Sequence, residues 1–145
     1  MVHIYRTVYE EMKSALLRYP PECGGILGAK QGEPISKFYF DESGVSTPDS
    51  YTPDYITINT VLEQWEREDV IMVGIAHSHE EAEIMPSCGD LFYCERILLA
   101  NPKLENFILP IVSCISKEIR VYVCTLNDNG HIKVSQDNWQ IIDNI

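Results

Sequence analysis

Residues 70–90 read VIMVGIAHSHEEAEIMPSCGD, and this stretch decides how the rest of the chain is organised. Val70 to His77 is a dense apolar run, suited to a central strand buried on both faces. Residues 80–86 form an acidic loop, and Ser87 to Ala100 reads as a helix closed by Asn101-Pro102. On a strand, residues i and i+2 share a face and sit about 6.6 Å apart along the axis. His77 and His79 therefore present two imidazoles to one side at the end of the most hydrophobic strand, where they can converge on one ion. Zinc accepts such nitrogens at about 2.0–2.1 Å and takes a carboxylate oxygen as a third ligand. Asp90, in the first turn of the following helix, is the candidate. Two histidines, one aspartate and one open position make a catalytic rather than a structural site.

Pro86-Ser87-x-x-Asp90 is also a helix start, with Ser87 as N-cap and an acid at the third helical position. Taken alone, capping is the commoner explanation. The two readings are compatible, because the cap can hold the helix that presents the ligand. Competing metal patterns fit worse. His79-Glu80-Glu81-Ala82-Glu83 begins like His-Glu-x-x-His but ends in glutamate. Residues 86–90 also lack the Pro-Cys-x-x-Cys of the zinc deaminases.

Outward from this centre, Val8, Met12, Ala15, Leu16 and Tyr19 recur at helical spacing over Thr7 to Tyr19, and Pro20-Pro21 ends that helix. Gly24-Gly25 introduces a strand over Ile26 to Ala29. Lys37 to Phe40 is its hairpin partner, joined through Gln31-Gly32-Glu33-Pro34. Residues 41–54 read as a loop. Ile56 to Asp69, with Ile58, Val61, Leu62 and Trp65 on one face, is a second helix. Phe107 to Ile115 and Ile119 to Leu126 are strands, and the turn at Asn127-Asp128-Asn129-Gly130 returns the chain as a last strand over His131 to Ser135. The C-terminal DNWQIIDNI is ambiguous. The order α-β-β-α-β-α-β-β-β predicts an α/β (α+β) fold, a mixed β-sheet flanked by helices, in a single domain over residues 1–145.

Composition narrows the function. Eleven Lys+Arg against 22 Asp+Glu give a net charge of −11. This is the wrong sign for gripping a phosphate backbone or an anionic membrane, and it favours a basic protein surface as partner. No apolar run reaches the ~18 residues of a membrane span, and the N-terminus lacks the layout of a signal peptide. The five cysteines are odd in number and irregularly spaced, which fits free thiols in a reducing cytoplasm. Cys23 and Cys88 flank the candidate residues, but nothing else supports a cysteine nucleophile. His3 and His131 read as structural or exposed.

The pattern His77-Ser78-His79-x7-Ser87-x2-Asp90 resembles the zinc signature of the JAMM (MPN+, Mov34/JAB) metallopeptidases at every defined position. That family places a glutamate just after the first helix, where this chain has Pro20-Pro21-Glu22-Cys23-Gly24-Gly25. The resemblance implies a cytidine-deaminase-like JAB/MPN core, with His77, His79 and Asp90 holding one zinc ion. It further implies Glu22 as general acid/base and Ser87 as the residue that stabilises the tetrahedral intermediate. The implied substrate is a ubiquitin-like or sulfur-carrier protein, cut at its flexible C-terminal tail. The chain has little room for long substrate-gripping insertions, so a compact prokaryotic-type member acting in the cytoplasm is expected, either alone or as a homo-oligomer.

One departure stands out. The family usually has proline directly after the second histidine, where this chain has Glu80. Glu80, Glu81 and Glu83 then form either a solvated charged loop or a filter that favours basic substrates, and Glu80 is positioned in sequence to compete for the open metal position. Two other classes compete with a peptidase. One is a non-catalytic scaffold of the same fold, against which the intact Glu22, His77, His79 and Asp90 speak. The other is a DNA-associated relative resembling the RadC group, which the acidity and the residues around His79 disfavour. Iron or cobalt would also suit this ligand set.

Overall fold

The structure, a computed structural model, describes residues 1–48, 50–82 and 84–144. The elements in chain order are β1 (Val2–Tyr5), α1 (Arg6–Arg18), β2 (Gly24–Lys30), β3 (Lys37–Phe40), β4 (Val45–Thr47), β5 (Ser50–Thr52) and α2 (Tyr55–Glu66). They continue with β6 (Val70–His79), α3 (Cys88–Ala100), β7 (Phe107–Ser113), β8 (Ile119–Leu126), β9 (Ile132–Asp137) and β10 (Trp139–Ile142). Six strands form one mixed sheet in the order β3-β2-β6-β7-β8-β9. The β6–β7 pair is parallel and the other pairs are antiparallel. The expected mixed sheet with flanking helices is therefore the observed architecture.

Side-chain alternation along the central strands builds two cores. Odd-numbered Phe107, Leu109 and Ile111 join Ile75 beneath α2 and α3, with Ile58, Trp65, Cys94 and Leu98. Even-numbered Ile108 and Val112 join Ala76 on the opposite face, against α1 and β1. The α1 stripe is Val8, Met12 and Leu16, spaced four apart and all buried. Each such burial stabilises the fold by roughly 1.5–3 kcal/mol. Close approach dictates two glycines. A Cβ at Gly28 would lie 2.6 Å from the Trp65 ring and 2.7 Å from Val70, and a Cβ at Gly74 would collide with the Ile108 backbone of β7.

The structure corrects several boundaries. Helix α2 ends at Glu66 rather than Asp69, because Asp69 turns left-handed (φ 59°) to launch β6. Strand β6 runs two residues past His77, so both histidines are strand residues. Residues 41–54 are not all loop, since β4 and β5 form a small hairpin. The ambiguous C-terminus supplies β10, which pairs in parallel with an unforeseen N-terminal β1. No helix among the described residues is long and apolar enough to cross a membrane.

Candidate metal centre

His77 and His79 share β6's face with Ile75 and are 4% and 6% exposed. Their Nε2 atoms lie 2.9 Å apart. Asp90 comes from α3 across the acidic loop. One of its oxygens is 3.2 Å from His77 Nε2 and the other is 3.7 Å from His79 Nε2. Ligands about 2.0–2.1 Å from a tetrahedral ion are separated from one another by about 3.3–3.4 Å. Separations of 2.9, 3.2 and 3.7 Å bracket that edge, and two imidazoles with one carboxylate form a donor set that suits zinc. The three residues are therefore placed to hold one divalent ion, as their spacing in sequence predicts.

Asp90 takes up this position through a capping box. The Ser87 hydroxyl accepts from Asp90 N at 3.1 Å, and Ser87 N donates to Asp90 Oδ2 at 2.8 Å. Capping and ligand presentation are thus the same arrangement. The Ser87 hydroxyl is an acceptor in this bond, which leaves its proton available to a ligand in the cleft.

Glu22 is fixed from two sides. Cys23 N donates to Ser78 Oγ at 3.1 Å and Ser78 N donates to Cys23 O at 2.9 Å, stitching the segment to β6 between the two histidines. Glu22 N donates to Thr47 O at 2.6 Å, and the Ser46 hydroxyl donates to Glu22 O. Glu22, His77, Ser87 and Asp90 line one cleft of about 420 Å³, with Tyr51, Tyr55 and Tyr93 on its walls. Sequence reasoning missed these tyrosines because Tyr51 and Tyr55 fall in or beside the segment read as loop.

Electrostatics suit a cation. Burial alone would push the Asp90 carboxyl up, but hydrogen bonds from His77 and His79 outweigh it and hold the group far below the usual carboxylate range. Burial opposes charge on His79, yet Asp90, Glu22 and Glu81 together raise its pKa. Burial also raises Glu22, against the lowering pull of the two histidines.

The acidic loop differs from the expectation in one respect. Glu81, not Glu80, brings a carboxylate near His79, with its Oε2 3.9 Å from Nδ1. Glu22, His79 and Glu81 form a second cluster of convergent ligand atoms. Ser113 Oγ anchors this turn by donating to Glu81 O at 2.7 Å. Glu80 is exposed, and Glu83 lies outside the described residues. Cys23 is buried against Ser78, and burial pushes its thiol up, which disfavours a nucleophilic role. His3 and His131 are exposed.

A family model described as prokaryotic homologs of the JAB domain matches residues 6–125, a span that includes Glu22, His77, His79, Ser87 and Asp90. The solution structure of a protein from Desulfitobacterium hafniense is similar over 100% of this chain and 95% of that one, with a TM-score of 0.72 and 18% identity. At that identity the likeness is one of fold. No curated protein matches the chain.

Proposed function

The chain belongs to the prokaryotic homologs of the JAB domain, and from that premise we propose that it is a zinc-dependent hydrolase of peptide or isopeptide bonds. The observation that carries this reading is the convergence of His77, His79 and Asp90 within reach of one ion, with Glu22 lining the same cleft. A divalent ion held there would acidify a water molecule and polarise the amide carbonyl.

The chain's own residues do the rest. The Glu22 carboxylate takes a proton from water and later passes it to the departing amine. Its burial favours the proton-bearing form and so moves its pKa towards working pH. The Ser87 hydroxyl, anchored by its bond from Asp90 N, donates its proton to the developing oxyanion. Asp90, held at the start of α3 by the Ser87 cap, would complete the ligand set with His77 and His79.

The substrate in this reading is the flexible C-terminal tail of a ubiquitin-like or sulfur-carrier protein, which binds extended. The net charge of −11 supports a basic partner surface.

The test is cleavage of ubiquitin-like tail fusions by the wild type and by Glu22→Gln, with zinc content measured in both. The expected result is turnover by the wild type and zinc without turnover in the variant. A fully zinc-loaded wild type that cuts no such fusion would instead identify a binding scaffold. Equal cutting by Glu22→Gln would remove Glu22 from its role.

A further inference from the structure

Next to the metal cleft lies a second cavity of about 480 Å³. Its walls include Tyr19 and Pro21 from the segment leading to Glu22, Phe40, Asp41 and Glu42 from the end of β3, and Tyr51 from β5. Tyr51 lines both spaces. Pro21 lines one and its chain neighbour Glu22 the other, so the two spaces adjoin.

Asp41 is the unusual wall residue. It is 3% exposed. Its Oδ2 accepts from the Tyr51 hydroxyl at 2.7 Å and from Asp54 N at 2.9 Å, which ties the β4–β5 hairpin to the N-cap of α2. Its Oδ1 is buried and has no hydrogen-bond partner. Holding the hairpin uses only one oxygen, and an unpartnered buried carboxylate oxygen is costly and uncommon. Glu42 adds a second acid to the wall. Tyr19 stacks on Phe40 with centroids 4.6 Å apart, and it is itself 38% exposed, so its ring is open to a ligand. A carboxyl oxygen without a donor, beside a second acid and among aromatic rings, suits an organic cation, above all a planar guanidinium that can stack and pair at once.

We propose that this cavity is a subsite for one arginine side chain of the substrate, a few residues from the bond presented to the metal cleft. The proposal rests on the hydrolase reading for its substrate but not for its chemistry. Oδ1 is sealed from solvent, so pairing with it requires the wall to shift, and Tyr51, bonded to the same carboxylate, reports that shift.

Two experiments on the full chain keep the outcomes separate. The first titrates metal-free protein, with labelled tyrosine and phenylalanine, with acetyl-Ala-Arg-Ala-amide while aromatic NMR signals are followed. Saturable shifts at Tyr19, Phe40 and Tyr51 are expected, at least tenfold weaker with citrulline in place of arginine and weakened by Asp41→Asn. Tyr19→Ala, a change at an exposed position, supplies the same reading should Asp41→Asn fail to fold. Equal binding of arginine and citrulline peptides, or no shift at these rings, overturns the subsite. Agmatine binding more tightly than the peptide assigns the cavity to a free small-molecule guanidine and overturns it as well.

The second compares cleavage of tail fusions with arginine or glutamine near the scissile bond. A KM at least tenfold higher for glutamine at unchanged kcat, with the difference lost in Asp41→Asn, is expected. If tails with and without arginine are cut equally, the subsite falls and the hydrolase reading stands. If no tail is cut, the hydrolase reading falls and the peptide titration alone decides the subsite.

Discussion

Replacing Ser87 separates the two roles that its hydroxyl combines. Ser87→Ala removes the acceptor for Asp90 N, a 3.1 Å bond at the start of α3. Loss of such a cap costs about 1 kcal/mol. For 145 residues the unfolding entropy is about 0.3 kcal/mol/K, so Tm should fall by about 3 °C. Ser87→Gly costs only a few tenths of a kcal/mol and should lower Tm by about 1 °C. Both variants lose the same donor to the oxyanion, worth about 2.7 kcal/mol or a hundredfold in kcat. Both retain the backbone bond from residue 87 N to Asp90 Oδ2, so zinc affinity should move by less than about threefold. The assay pairs thermal melts and zinc titration with single-turnover cleavage of a tail fusion. Unequal stability with equal, hundredfold-lower kcat is the expected signature. If both variants keep kcat within threefold of wild type, Ser87 is a helix cap and nothing more.

Other consequences are as direct. Glu22→Gln should bind zinc normally and lose about 10²–10⁴-fold in kcat, as expected for removal of a general acid/base. His77→Ala should lose zinc altogether. In the wild type, zinc at 100 times its Kd should add about 2.7 kcal/mol and raise Tm by about 9 °C, a shift that calorimetry will find absent in the variant. Gly28→Ala pushes a methyl into Trp65 and Val70 and should cost about 1–3 kcal/mol in a denaturant melt. Burial, reinforced by hydrogen bonds with Asp41 and Tyr55 respectively, raises the pKa values of Tyr51 and Tyr93. Folding thus favours their neutral phenols, a contribution complete below pH ~10 and lost as pH climbs past it. Absorbance at alkaline pH should show both unionised in the native protein at pH 11, and ionisation there without unfolding would refute the packing described.

The metal centre was legible in the sequence because its logic is local. Two histidines two residues apart at a strand end share a face whatever the rest of the chain does. A serine-to-aspartate helix start brings its carboxylate back towards the preceding strand end. The elements missed are those whose reason is distant. Strand β1 has four residues and runs directly into α1, and its partner β10 lies at the other end of the chain. Neither segment is long enough to show a period by itself. The β4–β5 hairpin has three-residue strands, largely exposed, so no alternation marks it. Its order comes from Asp41, Tyr51 and the backbone of Glu22. Glu81 in place of Glu80 beside His79 follows from a turn anchored by Ser113, some thirty residues downstream, which no local pattern encodes.

The pairing of β1 with β10 sets a timetable for synthesis. One edge of β1 can settle early, since the Ile35 backbone bonds to His3 and Tyr5. Its other edge waits for Trp139 to Ile142. At about 5–20 residues per second a ribosome needs roughly 7–27 s to bridge that gap. Through all of it a nascent chain holds Val2 and Ile4 as half of an unfinished ribbon, and α1 has only part of the surface it will finally rest on.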